Sequence, residues 1–451
     1  MEDIVSLAKR RGFVFPASSI YGGIANTWDY GPLGAIMKNN IKNEWIKFFV
    51  NSFDDMVLFD SAIFQNSKVW EASGHVDKFN DPLVDCIRCH KRYRADTLLE
   101  DMLKINVEGL SCEDMTRLIK DNNIQCPSCK GNLTTVRTFN LMFKTKIGPT
   151  ADDGEDIYLR PETCQGIFIN FSNILKSYRL KIPFGIAQVG KAFRNEITPG
   201  NFIFRTLEFE QLEIEYFTHP KDANKTFTEI MGRVKRWYQY IGIKDENLKF
   251  VELSEEERAH YSKKTIDIYF KFPFGFKELQ SFANRGDYDL SRHSKFSGEK
   301  LEYYDEVSKE RYTPYVIEPS VGLDRLFLAL LVNGYKEEKV GDSDKRVVLS
   351  LSSKIAPFQI AVFPLERDSK SINLAKKLYE DLKLVYRCTY DEGSSIGKRY
   401  RRQDEIGTCK CITVDPKSLD DDSITVRDRD TMKQDRIKIS DLMNYLTTCF
   451  I

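Results

Sequence analysis

The sequence has 451 residues, 41% of them hydrophobic and 30% charged, which is typical of a folded, water-facing protein and excludes a largely disordered chain. Lysine plus arginine equals aspartate plus glutamate at 67 each, so a nucleic acid would have to be held by local basic patches and not by net charge. At roughly 150 residues per domain, the length predicts two or three domains.

Two segments in the first third of the chain have clear secondary-structure signals. Apolar residues from Leu33 to Phe49 recur at helical spacing behind Pro32, which suits a first helical turn, so a long amphipathic helix is predicted there. Residues 83–137 carry two CxxC pairs, and the stretch between them alternates apolar and charged residues as a helical pair would. We expect this Cys-rich segment to form a small appended module.

The middle of the chain predicts a hairpin and then a change of domain. Residues 184–217 contain two alternating runs around a Pro199-Gly200 turn signal, which is typical of an antiparallel hairpin. Residues 218–262 are helix-rich and are interpreted as a helical insert; the strand-like TIDIYFKFPFGFKELQS and the apolar helix LDRLFLALLVNGY follow. The charged segment KEEKVGDSDKR is interpreted as a linker. We therefore expect one domain at 1–340 and a second, with alternating strands and helices, at 341–451.

The longest apolar run and the cysteine usage predict the compartment. Leu326 to Val332 is far too short to span a membrane, and the first residues carry scattered charges where a signal peptide needs an apolar stretch. Ten cysteines in such a chain fit reduced thiols or metal ligands better than disulfides. We expect a cytoplasmic protein with no membrane partner.

The predicted hairpin carries residues suited to a nucleotide. A period of two places Arg194 and Glu196 on one face of the first strand, and Arg205, Phe209 and Glu213 on one face of the second. Arginine binds phosphate bidentately and an aromatic ring stacks on a purine, and four residues of strand span ~13 Å, which suits a nucleotide laid across the sheet. The alternative is a surface strand with salt-bridged arginines and a core phenylalanine.

A second candidate lies in VIEPSVGLDR, residues 316–325. This segment predicts a strand that runs into the apolar helix, with Gly322 at the turn and Arg325 in the first helical turn, where it can face a ligand. The alternative is a structural corner in which Arg325 pairs with a neighbouring carboxylate.

Together these motifs resemble a known family. FRNE (193–196), FRTLEFEQLE (204–213) and GLDR (322–325), preceded by the GPLG helix, are similar to the three motifs of class II aminoacyl-tRNA synthetases. YGGIANTWDYGPLG, YLRPETCQGIFINF, HYSKKTIDI and VIEPSVGLDR resemble the dimeric glycyl-tRNA synthetase family, and the last hundred residues resemble its anticodon-binding domain. The resemblance implies an α+β fold with a six- to seven-stranded antiparallel catalytic sheet flanked by helices. It also implies a homodimer, ATP with Mg²⁺, glycine and tRNA(Gly) as partners, and transfer of glycine to tRNA through glycyl-adenylate.

The resemblance also implies an ATP site. Arg194 would hold the α-phosphate, Arg205 and Arg325 the outer phosphates and the base face, and these three arginines form the implied catalytic set. Glu196 would bind the adenine amino group, Phe209 would stack on the adenine, and Glu278 would bind Mg²⁺. The implied ATP-binding set is Arg194, Asn195, Glu196, Phe204, Arg205, Thr206, Leu207, Glu208, Phe209, Glu278, Leu279, Gly322, Leu323, Asp324 and Arg325.

A glycine site has to recognise an ammonium and exclude bulk. An ammonium has three donors, and Glu162, Glu213 and Glu318 match the three amino-group carboxylates of the family. A pocket that excludes a methyl by overlap needs no editing domain, and no editing domain is expected. The implied glycine-binding set is Arg94, Glu162, Phe209, Glu210, Gln211, Leu212, Glu213, Arg285, Glu318, Pro319, Ser320, Val321 and Gly322.

The Cys-rich segment predicts a structural zinc site. Cys86, Cys89, Cys126 and Cys129 form two CxxC pairs with 36 residues between them, and four thiolates leave no open position for catalysis. The alternatives are four ordinary reduced cysteines, or His90 in place of Cys89 as a ligand. The position of this zinc-ribbon-like insert suggests a contact with the tRNA acceptor stem.

A basic run in the second domain, SSIGKRYRRQDEIGT, is a candidate for tRNA binding. Its cations surround Tyr400, a mixture that can hold phosphates and stack on a base. It resembles the corresponding family segment, except that Cys409 stands where proline is common. The alternative is a solvated helix whose arginines pair with Asp404 and Glu405.

Two other functions remain open at this stage. A synthetase-like accessory subunit without catalysis should have lost Arg194, Glu196, Arg205 or Arg325, and all four are present. A class II synthetase for another small amino acid, such as serine, proline or threonine, fits the three glutamates and EPSVG less well.

Overall fold

The computed structural model describes residues 1–107, 109–148, 154–197, 200–259, 261–341 and 344–450. The N-terminal elements are α1 (Glu2–Arg11), β1 (Val14–Pro16), β2 (Trp28–Tyr30), α2 (Pro32–Ile46), β3 (Met56–Leu58), β4 (Phe64–Gln65), α3 (Ser67–Ser73) and α4 (His75–Lys78). The helix predicted after Pro32 is confirmed as α2, which a π-helical turn extends through Lys47–Asn51. Its apolar face, including Ile41 and Trp45, is buried in the main core.

The Cys-rich segment folds around a core of its own. Its elements are β5 (Asn80–Asp85), β6 (Arg92–Arg94), α5 (Ala95–Leu103), α6 (Cys112–Asp121) and β7 (Arg137–Asn140). The three strands form one sheet with β5 in the centre, and α5 and α6 stand where the sequence predicts a helical pair. Leu99, Met115 and Ile119 pack together beneath the helices, separately from the main core.

The predicted hairpin is present, with shorter strands than expected. The next elements are β8 (Lys144–Ile147), β9 (Glu155–Leu159), α7 (Cys164–Ile169), α8 (Phe171–Tyr178), β10 (Phe184–Phe193) and β11 (Glu208–Thr218). β10 and β11 pair antiparallel from Phe184↔Phe217 to Phe193↔Glu208.

The functional residues at the open end of the hairpin therefore lie outside its ladder. The prediction that Arg194, Glu196 and Arg205 lie within strands is wrong. After β10 the chain leaves the ladder, and a short 3₁₀ helix, Phe202–Phe204, places Phe202 and Ile203 in the core. Pro199 of the predicted turn lies outside the described residues.

A seven-stranded sheet organises residues 1–334. Its remaining elements are α9 (Ala223–Tyr240), β12 (Leu248–Glu252), β13 (Lys264–Phe272), β14 (Gly275–Gly286), α10 (Tyr288–Ser297), β15 (Tyr303–Tyr304), β16 (Arg311–Tyr312), β17 (Tyr315–Gly322) and α11 (Leu323–Gly334). The strand order is β12-β13-β14-β17-β11-β10-β3, antiparallel except for β3, which runs parallel to β10. The expected antiparallel sheet is thus confirmed, with one parallel edge strand.

Residues 218–262 are part of this sheet and its cover, and the interpretation as a separate helical insert is wrong. β12 pairs with β13 as the edge strand of the sheet. In α9, Phe227, Ile230, Val234 and Trp237 recur at helical spacing and are buried in the main core.

The two faces of the sheet differ, and this difference positions the site. One face carries the main core, in which Leu212 and Ile214 of β11 pack with α2, α9 and α11. On the other face, α7 and α8 cover one end of the strands around Phe171 and Phe217. The rest of that second face borders the cavity that contains the predicted site residues.

Residues 335–340 and 344–349 form two paired strands where the sequence predicts a linker. β18 (Tyr335–Val340) and β19 (Asp344–Leu349) pair antiparallel. This strand pair is fixed because Val348 and Leu349 are buried, and because Arg346, also buried, donates to Asp404 at 2.8 Å.

The C-terminal unit has the alternating pattern expected of it. Its elements are β20 (Ile360–Pro364), α12 (Ser369–Leu382), β21 (Cys388–Tyr390), α13 (Ile396–Ile406), β22 (Lys410–Val414), α14 (Pro416–Asp421), β23 (Ser423–Asp428), β24 (Gln434–Lys438) and α15 (Leu442–Phe450). The sheet order is β21-β20-β22-β23-β24, with the first three strands parallel. Across the described ranges of the whole chain, the helices lack the combination of length and apolarity needed to cross a bilayer.

Candidate active site

The open part of the sheet holds a cavity of about 350 Å³. Its floor is formed by β11, β13, β14 and β17, and its rim includes residues between β10 and β11 and residues between β12 and β13. The predicted site residues that line it are Glu162, Arg194, Glu196, Phe204, Arg205, Thr206, Phe209, Gln211, Glu213, Glu278, Leu279, Glu318, Ser320, Gly322, Asp324 and Arg325.

Arg194 is held flat between two aromatic rings. Its guanidinium carbon lies 5.2 Å from the centre of the Phe79 ring and 5.4 Å from that of Phe209. Its Nε donates to the carbonyl oxygen of Pro161 at 3.0 Å, and no described carboxylate forms an ion pair with it. The orientation of the planar head group is therefore fixed, while its charge stays available for an anion.

Two further arginines face the same end of the cavity. Arg325, in the first turn of α11, donates to the carboxylate of Glu278 at 2.9 Å and to the carbonyl oxygen of Phe204 at 3.2 Å. Arg205 lies at 3.8 Å from Glu196, a loose ion pair. The alternative in which Arg325 pairs with a carboxylate is thus correct about the pairing, but that carboxylate is Glu278, itself a predicted site residue.

Asp267 joins this end of the cavity, and sequence reasoning missed it. It lies on β13, and burial, together with the charge of nearby Glu278, raises its pKa to about 6. The alternation of Thr265 and Asp267 within TIDI was the available signal, since both line the cavity. Asp267 and Glu278 give this end two carboxylates of the oxygen type that Mg²⁺ prefers.

The opposite end of the cavity is acidic and buried. Glu162 is fixed by His75, whose Nε2 lies at 3.3 Å, by the thiol of Cys164 at 2.8 Å and by the amide of Gln165 at 3.0 Å. Burial opposes the charge of this carboxyl, but His75 and Arg285 outweigh it and hold the pKa of Glu162 well below its usual range. Glu162 is therefore the ionised member of the cluster.

The pKa values of Glu213 and Glu318 are shifted in the opposite direction. Burial and the neighbouring charge of Glu162 raise the pKa of Glu213, although the hydroxyl of Thr163 donates to it. Burial raises the pKa of Glu318 to about 8 against the attraction of Arg285, and the charges of Glu213 and Glu162 add to the rise. The acids repel one another in the absence of a cation, which is the electrostatic condition for binding one.

Arg285 organises the acidic end from below. It is almost completely buried and donates to both carboxylate oxygens of Asp289, at 2.7 and 2.9 Å, and to Glu318 at 3.0 Å. Its guanidinium carbon lies 4.0 Å from the centre of the Tyr261 ring. Arg285 thus supports the cavity wall and does not line it.

Several predicted residues are not part of the cavity lining. Along β11 the side chains alternate, so Glu210 and Leu212 face the main core side, where Glu210 pairs with Lys38 at 2.9 Å and Leu212 is buried. Arg94 belongs to the Cys-rich module and pairs with Asp81 and Asp96 there. The complete set outside the lining is Arg94, Asn195, Leu207, Glu208, Glu210, Leu212, Arg285, Pro319, Val321 and Leu323.

Some of these residues lie outside the cavity lining because they form backbone hydrogen bonds or ion pairs elsewhere. The amide of Asn195 donates to the carbonyl oxygen of Leu141 at 2.7 Å, and the carbonyl of Leu207 accepts from the amide of Arg194. Glu208 pairs with Lys191 at the exposed edge of the hairpin. Asp324 lines the cavity but also binds Lys38 at 3.0 Å and the amide of Glu210 at 2.8 Å, so it has a structural role.

The four cysteines of the Cys-rich module meet at one point. Their sulfur atoms all lie within 4.8 Å of one another, with Cys86 at 3.4 Å from Cys129 and Cys89 at 3.6 Å from Cys126. In a tetrahedral zinc site with Zn–S of about 2.3 Å, the sulfurs are roughly 3.8 Å apart, so the cluster fits a bound metal. His90 is exposed and lies outside this group.

The two CxxC turns have the same backbone geometry. In each, the amide four residues after the first cysteine donates to that cysteine's carbonyl at 2.9 Å, and that residue, His90 or Lys130, is left-handed with φ of 55° or 59°. Gly131 follows the second turn, and a Cβ there would lie 2.7 Å from a side-chain carbon of Arg88 and 3.2 Å from the sulfur of Cys86. Two independent segments thus fold identically around the same four sulfurs.

The basic run of the C-terminal unit lies on α13. Some of its side chains are buried in the domain and others border a cleft at its surface. Arg399 is buried and donates to the carbonyl oxygen of Pro364 at 2.6 Å, while Tyr400 packs on Phe363 and bonds to Thr413. Arg399 is therefore part of the domain's interior, whereas Tyr400 is only partly buried, and contact of this run with tRNA stays a prediction. Residues that do face outward border a cleft between α1 and α13: Arg11, Ser395, Gly397, Lys398, Arg401 and Arg402.

Comparisons with known proteins agree with this geometry. Residues 142–334 match the family model of the tRNA synthetase class II core domain (G, H, P, S and T), and residues 359–448 match that of an anticodon binding domain. A solved prolyl-tRNA synthetase from Cryptosporidium parvum, in complex with L-proline and AMP, is similar in fold with a TM-score of 0.63 at 15% identity; the match covers 99% of this chain and 77% of that one. The fold and the cavity therefore define a class II aminoacyl-tRNA synthetase.

Curated relatives show to which family within this class the chain belongs. A glycine–tRNA ligase of Caldanaerobacter subterraneus subsp. tengcongensis is 54% identical over 99% of this chain and 97% of its own length. Those of Alkaliphilus oremlandii and Malacoplasma penetrans are 52% and 50% identical, over 99% and 98% of this chain and 97% and 96% of their own lengths. The chain belongs to the glycine–tRNA ligase family.

Proposed function

We propose that this chain activates glycine with ATP to form glycyl-adenylate and pyrophosphate, and then transfers the glycyl group to the 3′ end of tRNA(Gly). The observation that carries the proposal is the division of one cavity into a guanidinium-lined end and a buried acidic end. ATP and glycine have the complementary charges, an anionic triphosphate and a cationic amine.

The activation step needs orientation more than proton transfer. The carboxylate of glycine is already a nucleophile, so the barrier arises from charge repulsion with the α-phosphate and from alignment. Arg194, fixed between two rings, is placed to hold the α-phosphate, and Arg205 and Arg325 the outer phosphates. Phe209 supplies a ring for the adenine, and Glu196 an acceptor for its amino group.

Mg²⁺ would neutralise part of the triphosphate charge in this family's reaction, and Glu278 is the residue that would hold it. Its carboxylate is about half exposed, at 45%, and faces the cavity beside Asp267. Hard carboxylate oxygens suit Mg²⁺, which keeps several of its waters. Arg325, which now pairs with Glu278, would then turn toward phosphate.

Glycine is selected by its ammonium and by lack of space. Glu162, Glu213 and Glu318 provide an acceptor for each of the three ammonium hydrogens. All three are buried or nearly so, and the wall that continues below them is packed, so a larger side chain would overlap with protein. Exclusion of a larger side chain by overlap discriminates strongly, so no editing domain is expected.

We also propose the assignment of the remaining parts. Residues 1–340 form the catalytic domain and 341–451 the anticodon-binding domain, with the outward-facing cations of α13 next to the tRNA. The four cysteines of the module hold structural Zn²⁺, and the module contacts the acceptor stem. All ten cysteines are free of disulfides, which supports action in the cytoplasm.

A homodimer is supported by the edge of the large sheet. β3 is an edge strand of this sheet, and Leu58 on it is 50% exposed; Phe64 on β4, an edge strand of a separate three-stranded sheet, is 57% exposed. Exposed apolar residues at an unpaired strand edge are a liability that a second subunit would cover. A monomeric mass in sedimentation at micromolar concentration would contradict this part of the proposal.

The central experiment is amino-acid-dependent ATP–pyrophosphate exchange. We expect exchange with glycine and at most weak exchange with alanine, serine and proline, followed by glycylation of tRNA(Gly) transcripts. Exchange with another amino acid in preference to glycine would support a different small-substrate synthetase, and no exchange with any of them would support a non-catalytic accessory subunit. Arg236→Ala, which removes a cation of α9 outside the cavity lining, serves as a control variant and should exchange pyrophosphate as the wild type does.

A further inference from the structure

Glu215 is a fourth carboxyl on the face of β11 that forms the acidic end of the cavity. Side chains on this strand alternate, so Glu215 points the same way as Glu213. The ladder between β11 and β17 pairs Glu213 with Ser320, which sets Glu215 opposite Glu318. Residues opposite each other in an antiparallel pair have Cβ atoms about 4.5–5.5 Å apart, and like charges there are unfavourable.

Among the described residues, Arg285 is the one nearby cation that favours a negative charge on Glu215, and it forms no hydrogen bond with it. The residue is 0% exposed, and neither carboxyl oxygen has a hydrogen-bond partner among the described residues. A ligand atom of Glu215 lies within 4.8 Å of the corresponding atoms of Glu213, Glu318 and Cys164. A buried polar group left unpaired beside a substrate pocket requires an explanation, because such groups are costly to the fold.

The neighbouring cation is already committed elsewhere. Arg285 donates three hydrogen bonds, two to Asp289 and one to Glu318. Burial, and then the charges of Glu318 and Glu213, raise the pKa of Glu215 well above the usual carboxyl range. The charged and titratable groups that face it from the surrounding elements are Cys164 of α7, Glu213 of β11, Arg285 of β14, Asp289 of α10 and Glu318 of β17.

We infer that Glu215 is a positioning residue for glycine, an uncharged carboxylic acid whose single hydroxyl donates to a carboxylate oxygen of Glu213 or Glu318 when these bind the substrate ammonium. The inference rests on the proposed function of the cavity. An ammonium has three donors, whereas each carboxylate has about four acceptor sites, so the acidic end has acceptors in excess. One further donor behind them fixes which oxygens remain free to face the ammonium.

Two substitutions at this position separate charge, donor and shape. Glu215→Gln keeps the shape and an N–H donor but cannot ionise, whereas Glu215→Met keeps the length and has neither donor nor charge. The assay is ATP–pyrophosphate exchange, with KM for glycine and for ATP and kcat measured from about pH 6 to about pH 9. Thermal unfolding is measured in parallel, and the matched controls are Glu229→Gln and Glu229→Met on the exposed side of α9.

For the Gln variant we expect a kcat/KM for glycine within about threefold of wild type and an unchanged pH profile. For the Met variant we expect a KM for glycine raised about 10-fold or more, an unchanged KM for ATP, and an unfolding temperature no lower than wild type, because an apolar group of similar shape removes an unsatisfied buried carboxyl. A purely structural role of Glu215 would leave the glycine KM of the folded Met variant unchanged.

Three results would overturn the inference. They are an unchanged glycine KM in folded Glu215→Met, a loss in Glu215→Gln as large as in Glu215→Met, or a displaced pH profile in Glu215→Gln. If Glu215→Met does not fold, the kcat/KM for glycine and the pH profile of Glu215→Gln test the inference alone. A wild-type enzyme that fails to exchange pyrophosphate with glycine would instead refute the proposed function, so the two failures are distinct.

Discussion

Glu318→Gln tests whether the acidic end of the cavity binds the amine of glycine. The substitution keeps the size of the side chain and one carbonyl acceptor but removes the charge. Arg285 retains its two hydrogen bonds to Asp289, so the wall below the cavity keeps its main support. The perturbation is therefore confined to the group that would contact the ammonium.

The size of the effect follows from the type of bond removed. A hydrogen bond to a charged group contributes about 1.5–3 kcal/mol, and each ~1.4 kcal/mol is a factor of ten in an equilibrium constant. We therefore expect kcat/KM for glycine to fall about 10- to 100-fold in pyrophosphate exchange, with the KM for ATP within about twofold of wild type.

The pH dependence gives an independent measurement. In wild type the pKa of Glu318 is raised to about 8, and the ionised form is the one that accepts from an ammonium, so kcat/KM for glycine should rise as pH increases toward about 8. In Glu318→Gln this component of the rise should be absent. Because Glu213 and Glu162 interact with Glu318, the observed midpoint belongs to the group of acids as a whole.

Stability should move in the opposite direction to activity. Folding raises this pKa from its ordinary value of 4.5, so the contribution of the group to stability is present below about pH 4.5 and is lost as the pH rises through about 8. At about pH 8 the Gln variant should therefore unfold at the same temperature as wild type or higher. An unchanged glycine KM, or a pH rise that persists in full, would refute the reasoning; Glu252→Gln on exposed β12 is the control.

Three further predictions follow from other parts of the molecule. Arg194→Ala should lower kcat for pyrophosphate exchange about 10²- to 10³-fold without unfolding the protein, since one preorganised donor to the developing charge is lost; near-normal exchange would contradict its assignment. Elemental analysis should find one zinc per wild-type chain and none in Cys126→Ser, which should also expose residues 80–140 to protease, whereas Cys112→Ser should keep the metal. Asp404→Ala should lower the free energy of unfolding by about 3–5 kcal/mol in chemical denaturation, because two buried arginine side chains lose their common carboxylate.

The sequence predicted well those features that depend on local pattern. The α2 helix, the β10–β11 pair and the strand–helix corner at Gly322 each have a periodicity or turn signal within one continuous segment. The predicted ends of these two strands were wrong. Phe202 and Ile203 pack in a core formed by residues distant in sequence, and the strand alternation stops before them. The prediction of a linker was wrong for a similar reason. Arg346 in that segment is buried, and its hydrogen-bond partner, Asp404, lies 58 residues away in the sequence.

The site residues also divide into those with a local sequence signal, which were predicted, and those that depend on distant contacts, which were not. Arg194, Phe209, Glu213 and Arg325 stand in motifs with strong local signals, and the structure brings all four to one cavity. Residues whose role depends on tertiary contacts were missed: Glu215 looks like one more polar position of an alternating strand, and neither its burial nor its lack of a partner can be inferred from its neighbours in sequence. Asp289 was missed because its partners, Arg285 and Gln165, can be recognised only in the folded chain.

The balanced charge of the chain, 67 residues of each sign, conceals a strong local separation. Within the cavity, Phe209 marks the guanidinium end and Glu213 the acidic end of the same strand, four residues apart or ~13 Å. In the proposed reaction the phosphates would lie at the first end and the amine at the second, which would direct the carboxylate of the amino acid toward the α-phosphate. Orientation of the reactants is thus a consequence of where the strand places charge, and it requires no side chain to act as a base.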